Sequence, residues 1–314
     1  MPGVRAKIKS EFNFIQDICQ MSVIKASSAD TLLSDSKRDK IRKHILNKEL
    51  EDVINILDRV STSHAGTAKT KDKRFVIHEL VKNVHDNCQD IEKVFFGYGK
   101  YLCEIDSDNA KEVGVSIIWR GYRQNPGVTE KQLLRIADDK NWEVREYAGS
   151  AFASVLRENP KLQSKMIKWS GHRSENIRRA VVFSSLAYKE RGDTSKAFEI
   201  LSLLMSDSSN YVKKNLGPFI LGSHFGNNFP DATFEFLLDH SKSIDLNVLW
   251  NVAMSFNNSF GNRYPKEALE ILSLIARSDL PSVNRAIVST LKHLNKRNEN
   301  IVKAFCLAKG IVIK

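Results

Sequence analysis

Five short motifs recur at a nearly constant interval along residues 144–285, and that interval limits the fold more than any other feature of the chain. They are Val144-Arg145-Glu146, Ile177-Arg178-Arg179, Val212-Lys213-Lys214, Val248-Leu249-Trp250 and Val283-Asn284-Arg285, with first members 33, 35, 36 and 35 residues apart. A period in the mid-thirties is that of a helical solenoid, in which each repeat is a helix pair and only stacked neighbours bury a core. The second and third members are mostly Arg and Lys. Equivalent points of successive repeats are therefore expected to line up as a basic stripe.

The surrounding sequence agrees with helix pairs. Ala197, Ile200, Leu201 and Leu204 follow the i, i+3, i+4, i+7 rule, as do Ala268, Ile271, Leu272 and Ile275; these read as first helices of repeats. Second helices are expected to begin at the motif column. Breaks are expected at Asn125-Pro126-Gly127, Asn159-Pro160, Arg191-Gly192-Asp193, Phe229-Pro230, Tyr264-Pro265 and Leu280-Pro281, because Pro is tolerated in a first helical turn. No useful stretch alternates with a strand period. Residues 36–60 read as one long charged helix, and Ser61 to Lys73 (STSHAGTAKTKDK) as a flexible basic linker. The expected organisation is a charged helical segment with its linker over residues 1–70 and a repeat array over residues 71–314.

Net charge of +11 and a pI near 9.4 point to an anionic partner, nucleic acid first. No apolar run approaches the roughly 20 residues of a membrane span, so a cytoplasmic, nucleoid-associated chain with no membrane partner is expected. Cys19, Cys88, Cys103 and Cys306 form no C-x-x-C pair and read as thiols rather than a zinc site. His78-Glu79 lacks the second His of a zincin motif, and Gly97-Tyr98-Gly99 is not followed by a dinucleotide fingerprint. No metal and no cofactor are expected.

Counting 100° per residue from Val144 places Trp142 and Glu146 together on the face away from the apolar stripe, four residues and so one turn apart. Gly149 and Ala153 are expected to continue that face with almost no side chain. Arg179, about 200° from Ile177, is expected on the corresponding face of the next repeat. A carboxylate and an indole above a cleared strip of helix would make a site. Taken singly, the same residues read more plainly, Trp142 as inter-helix packing and Glu146 as a solvated acid.

The stretch from Asp138 to Lys189 resembles the HEAT-like-repeat DNA alkylation repair glycosylases, the AlkD and AlkC group. Members carry a Trp followed four residues later by an acid, a helix ending near Pro, a Lys-Trp dipeptide, and an Arg ten residues past that Trp. Trp142 with Glu146, Asn159-Pro160, Lys168-Trp169 and Arg179-Ala180-Val181 stand at those places. The resemblance implies an all-α, right-handed superhelix of stacked HEAT-like helix pairs, acting as a monomer on double-stranded DNA that is damaged or branched. It also implies excision of N3- or N7-alkylated purines, with Glu146, Trp142 and Arg179 as the catalytic set. Arg145, Arg178, Arg179, Lys213, Lys214, Trp250 and Arg285 are the expected DNA contacts.

Two departures keep a second reading open. One branch of the family has Asp where this chain has Glu146, and a second Trp where it has Gly217-Pro218-Phe219. The second reading is a non-catalytic repeat scaffold that binds structured nucleic acid or a protein.

Overall fold

The computed structural model of the protein describes residues 31–276 and 280–313, and among them every regular element is a helix. The one β feature there is a single antiparallel bridge between Ser61 and Ala68. The expected all-α class is what the chain adopts. Cys19 and the first 30 residues of the expected N-terminal segment lie outside the described residues.

The chain divides into two compact units, one ending at Asn159 and the other beginning at Pro160. The first contains α1 (Asp35–Leu46), α2 (Leu50–Asp58), α3 (Thr70–Asn87), α4 (Ile91–Glu104), α5 (Asp108–Ile118), α6 (Pro126–Ala137) and α7 (Trp142–Glu158). The second contains α8 (Gln163–Ser170), α9 (Glu175–Ser184), α10 (Thr194–Ser202), α11 (Asn210–Asn215), a π-helical segment (Leu216–Gly226), α12 (Pro230–His240), α13 (Leu246–Met254), α14 (Ser259–Arg263), α15 (Pro265–Ile275), α16 (Pro281–Asn295) and α17 (Glu299–Lys309).

The motif column holds in register. Val144, Ile177, Val212, Val248 and Val283 are each the third residue of their helix, α7, α9, α11, α13 and α16, and each is buried. Ala110, buried as third residue of α5, extends the column by one repeat that its Ala-Lys-Glu sequence had hidden. Within the first unit α5 packs on α7; within the second, α9, α11 with its π segment, α13 and α16 pack in succession. The expected breaks also hold. Pro126, Pro230, Pro265 and Pro281 open helices, Pro160 opens a 3-10 turn, and Gly192 has φ +66°.

Two expectations near the N-terminus need correction. Residues 36–60 form two helices, not one, because the chain turns at Asn47-Lys48-Glu49 with Lys48 left-handed at φ +64°. Ser61 to Lys73 is a packed loop and helix start rather than a flexible linker, since Thr67, Ala68, Asp72 and Lys73 are all buried. Small polar residues signal a turn equally well whether their hydroxyls face water or cap neighbouring groups.

α5 is buried on every side from Asn109 to Ile118, and α7 from Tyr147 to Arg157, as central helices of a layered unit must be. α4 and α5 come together with almost no gap. A Cβ on Gly99 would stand 2.4 Å from the Ile118 Cα, and one on Gly114 would stand 2.6 Å from the Cys103 nitrogen. That close approach is what Gly97-Tyr98-Gly99 contributes through its last residue.

Candidate nucleic-acid interface

The turn that precedes each second helix is built by side chains. Asp139 Oδ1 accepts from the Asn141 N–H (2.8 Å), Asp207 Oδ1 from the Ser209 N–H (2.8 Å), and the Ser243 hydroxyl from the Asp245 N–H (3.1 Å). Asn141, Ser209 and Asp245 then cap the first free N–H groups of α7, α11 and α13. The same i to i+2 device recurs, so equivalent residues of the repeats meet equivalent surroundings.

Those surroundings engage the second residue of each motif. Arg145 folds back so that Nη1 donates to the carbonyls of Asp139 (2.7 Å) and Lys140 (2.9 Å). Arg178 does the same to His172 (2.8 Å) and Arg173 (3.1 Å), while Nε and Nη2 grip Asp207 at 2.6 and 3.1 Å. The hydrogen bond to Asp207 holds the guanidinium above its usual range. Lys111 bridges to Asp139 at 3.1 Å, and Lys213 donates to Asn247 at 2.9 Å. Each cation thus supports its own turn, the next repeat within its unit, or both. Lys213 also lies 5.0 Å from the Trp250 ring and is only 8% exposed, and burial pulls its ammonium below the usual range.

The third residues differ from one another. Arg179 was expected on an open face but is 3% exposed, its guanidinium between the rings of Phe183 (4.6 Å) and Tyr211 (4.7 Å). Lys214 and Arg285 are exposed, and Trp250 is half-buried. The expected stripe of six exposed cations is therefore corrected to a smaller set, because long basic side chains beside a turn satisfy carbonyls and carboxylates before they reach solvent.

Trp142 and Glu146 do share the half-buried N-terminal end of α7. The strip below them is not open, for Gly149 and Ala153 are buried. The Trp142 indole meets the exposed His64 ring edge-on, with centroids 5.5 Å apart and planes at 82°. Next to it, Glu143 is held by Thr67 (2.6 Å) and by Lys73 (2.9 Å), which is itself fully buried and lies 2.5 Å from the buried Glu112.

In the second unit Pro218 stands inside a helix. It lacks the N–H that would continue α11, and the backbone widens into the π segment. The Pro218 carbonyl accepts from Asn258 Nδ2 (2.8 Å) and the Ser223 hydroxyl (3.1 Å). Phe219, next to Pro218, packs against Phe183 at 5.9 Å and edge-on to His224 at 5.1 Å. Burial drives His224 down to about 3, so it is a neutral ring.

Comparison with known proteins finds one family likeness. Residues 102–246 match the family described as DNA alkylation repair enzyme. The likeness to that family covers a little under half of the chain. The assignment carries a role in DNA repair with DNA as partner, and it spans Trp142, Glu146, Trp169, Arg179 and Phe219, but not Trp250, Arg285 or residues before 102. Among solved structures, the crystal structure of an engineered protein aligns over 95% of this chain and 92% of its own, at 13% identity and a TM-score of 0.31. That likeness is too loose to carry an argument. No curated protein matches the chain. No helix among the described residues is long and apolar enough to cross a membrane.

Proposed function

We propose that this protein acts as a DNA alkylation repair enzyme, binding duplex DNA and hydrolysing the N-glycosidic bond of N3- or N7-alkylated purines. The observation that carries the reading is the end of α7. Trp142 and Glu146, one turn apart, are half-exposed where the rest of that helix from Tyr147 to Arg157 is buried, and both lie in the family-matched segment.

The chemistry needs little more than these groups. An N3- or N7-alkylated purine already carries positive charge, so it leaves without being protonated. What remains is to stabilise the cationic sugar as the C1′–N bond breaks, which a carboxylate at the sugar does electrostatically, until water adds to C1′ and releases its proton. Glu146 takes this role, and Trp142 offers its π face to the cationic base or the deoxyribose. Lys214, Arg285 and Trp250 are the proposed DNA contacts of the second unit. Arg145, Arg178 and Lys213 serve it indirectly by fixing the turns, and Arg179 fixes the faces of Phe183 and Tyr211.

The absence of a second Trp at Gly217-Pro218-Phe219 favours a second reading, in which DNA is bound without base release. Single-turnover excision from a duplex carrying one N7-methylguanine separates the two. The glycosylase reading expects base release by the wild type and a loss of about 100- to 1,000-fold in Glu146→Gln, with DNA affinity retained. Release at an undiminished rate by Glu146→Gln overturns the site. Binding without any release by the wild type selects the scaffold.

A further inference from the structure

The loop from Ser61 to Lys73 lies outside the family-matched residues, yet it makes four separate contacts with three consecutive residues at the start of α7. Asn141 Nδ2 donates to the Ala65 carbonyl at 2.9 Å. The His64 ring stands edge-on to Trp142. Thr67 Oγ1 donates to one oxygen of Glu143 and Lys73 Nζ to the other. The loop is itself braced. Ser61 bridges to Ala68, the Thr62 N–H donates to the Thr67 carbonyl at 2.8 Å, and Gly66 takes φ +72° to close the turn. Asn109 of α5 accepts from the Ala68 N–H at 2.8 Å and donates to Asp58 and Ser61 at 2.7 and 3.0 Å.

We infer that residues 61–73 form a positioning strap for Trp142, in which His64 fixes the plane of the indole. The inference rests on the reading of Trp142 as a DNA contact and adds a residue class to it. A half-exposed indole on the first residue of a helix has no preceding turn to limit its rotamers. An edge-on ring and a helix start tied down through both flanking residues remove that freedom before a ligand arrives, and preorganisation of this kind shows up as affinity. The buried anchors Thr67 and Lys73 make the strap part of the core, while His64 itself is exposed, so it can be altered without opening the fold.

The test is a double-mutant cycle on affinity for a duplex carrying one N7-methylguanine at fixed salt, using the full chain. The variants are Trp142→Ala, His64→Ala, His64→Phe and the Trp142→Ala/His64→Ala pair, with thermal melting as a control. His64→Ala is expected to weaken binding about 3- to 10-fold, the range of an aromatic pair. His64→Phe should restore it, and the pair should bind no worse than Trp142→Ala alone. If Trp142→Ala binds as the wild type, Trp142 is no DNA contact and both readings fall. If Trp142→Ala is weaker but His64→Ala is not, the strap alone is overturned. It is equally overturned if His64→Phe fails to rescue, or if His64→Ala costs the same with Trp142 already gone, since the imidazole would then act on its own.

Discussion

Glu112 is fully buried, and its nearest cation is shared. Lys73 stands 2.5 Å from Glu112 and also donates to Glu143 (2.9 Å) and Thr67 (3.1 Å), so one ammonium serves two carboxylates. Burial pushes the Glu112 carboxyl up to about 8, with Lys73 opposing and Glu143 adding to the rise. Between the ordinary carboxylate range near 4.5 and about 8, the folded protein then holds a proton that the unfolded chain has released. Stability falls as pH climbs through that window, because the folded state binds more protons there. Glu112→Gln keeps the shape and removes the titration. Urea unfolding at pH 5 and pH 8.5 should show the wild type losing stability relative to Glu112→Gln as pH rises. A parallel pH dependence for the two proteins would mean that Glu112 is ionised throughout and that its pairing with Lys73 outweighs burial.

At the scale of the element, the motif column was fully legible, and what its cations do was not. Five apolar residues at a mid-thirties spacing could only be equivalent points of stacked helices, and all five proved to be third residues of second helices. Periodicity gives a direction around a helix axis but says nothing of the turn before it. Arg145 and Arg178 leave their helices in the expected direction and then fold back onto the carbonyls five and six residues earlier. The π segment was hidden for a related reason. Helical periodicity counts 3.6 residues per turn and carries no sign of a π-helical stretch, whereas the chain keeps Pro218 inside one. That Trp142 and Glu146 share one end of α7 followed from their i, i+4 spacing, but the loop holding Trp142 was not legible, because its contacts cross about 75 residues of sequence. The turn-bracing role makes a prediction. Arg178→Ala breaks a two-pronged link to Asp207 and two carbonyl bonds, and should cost about 1.5–3 kcal/mol in stability. Lys214→Ala, at an exposed position, should stay within about 0.5 kcal/mol of the wild type. Equal denaturation midpoints for the two variants would refute the distinction.

At the scale of the whole molecule, the net charge of +11 gives a general pull toward nucleic acid, but the proposed function expects fewer cations at phosphate than the motif column suggests. Every cation bound to a phosphate releases counterions, so the logarithm of affinity falls with the logarithm of salt concentration by about 0.9 per contact. A cation already committed to a carboxylate and to main-chain carbonyls contributes nothing to that slope. The expected result is therefore selective. Lys214→Ala and Arg285→Ala should each make the slope for duplex DNA shallower by about 0.9, and should weaken binding to all sequences alike. Arg178→Ala should leave the slope unchanged under conditions where the variant is folded, even though its loss of stability is the larger. Fluorescence-anisotropy titrations across a series of salt concentrations measure all three. A slope change at Arg178 equal to that at Lys214 would mean that the guanidinium leaves Asp207 to meet DNA, and the basic stripe read from the sequence would stand in place of the braced turns.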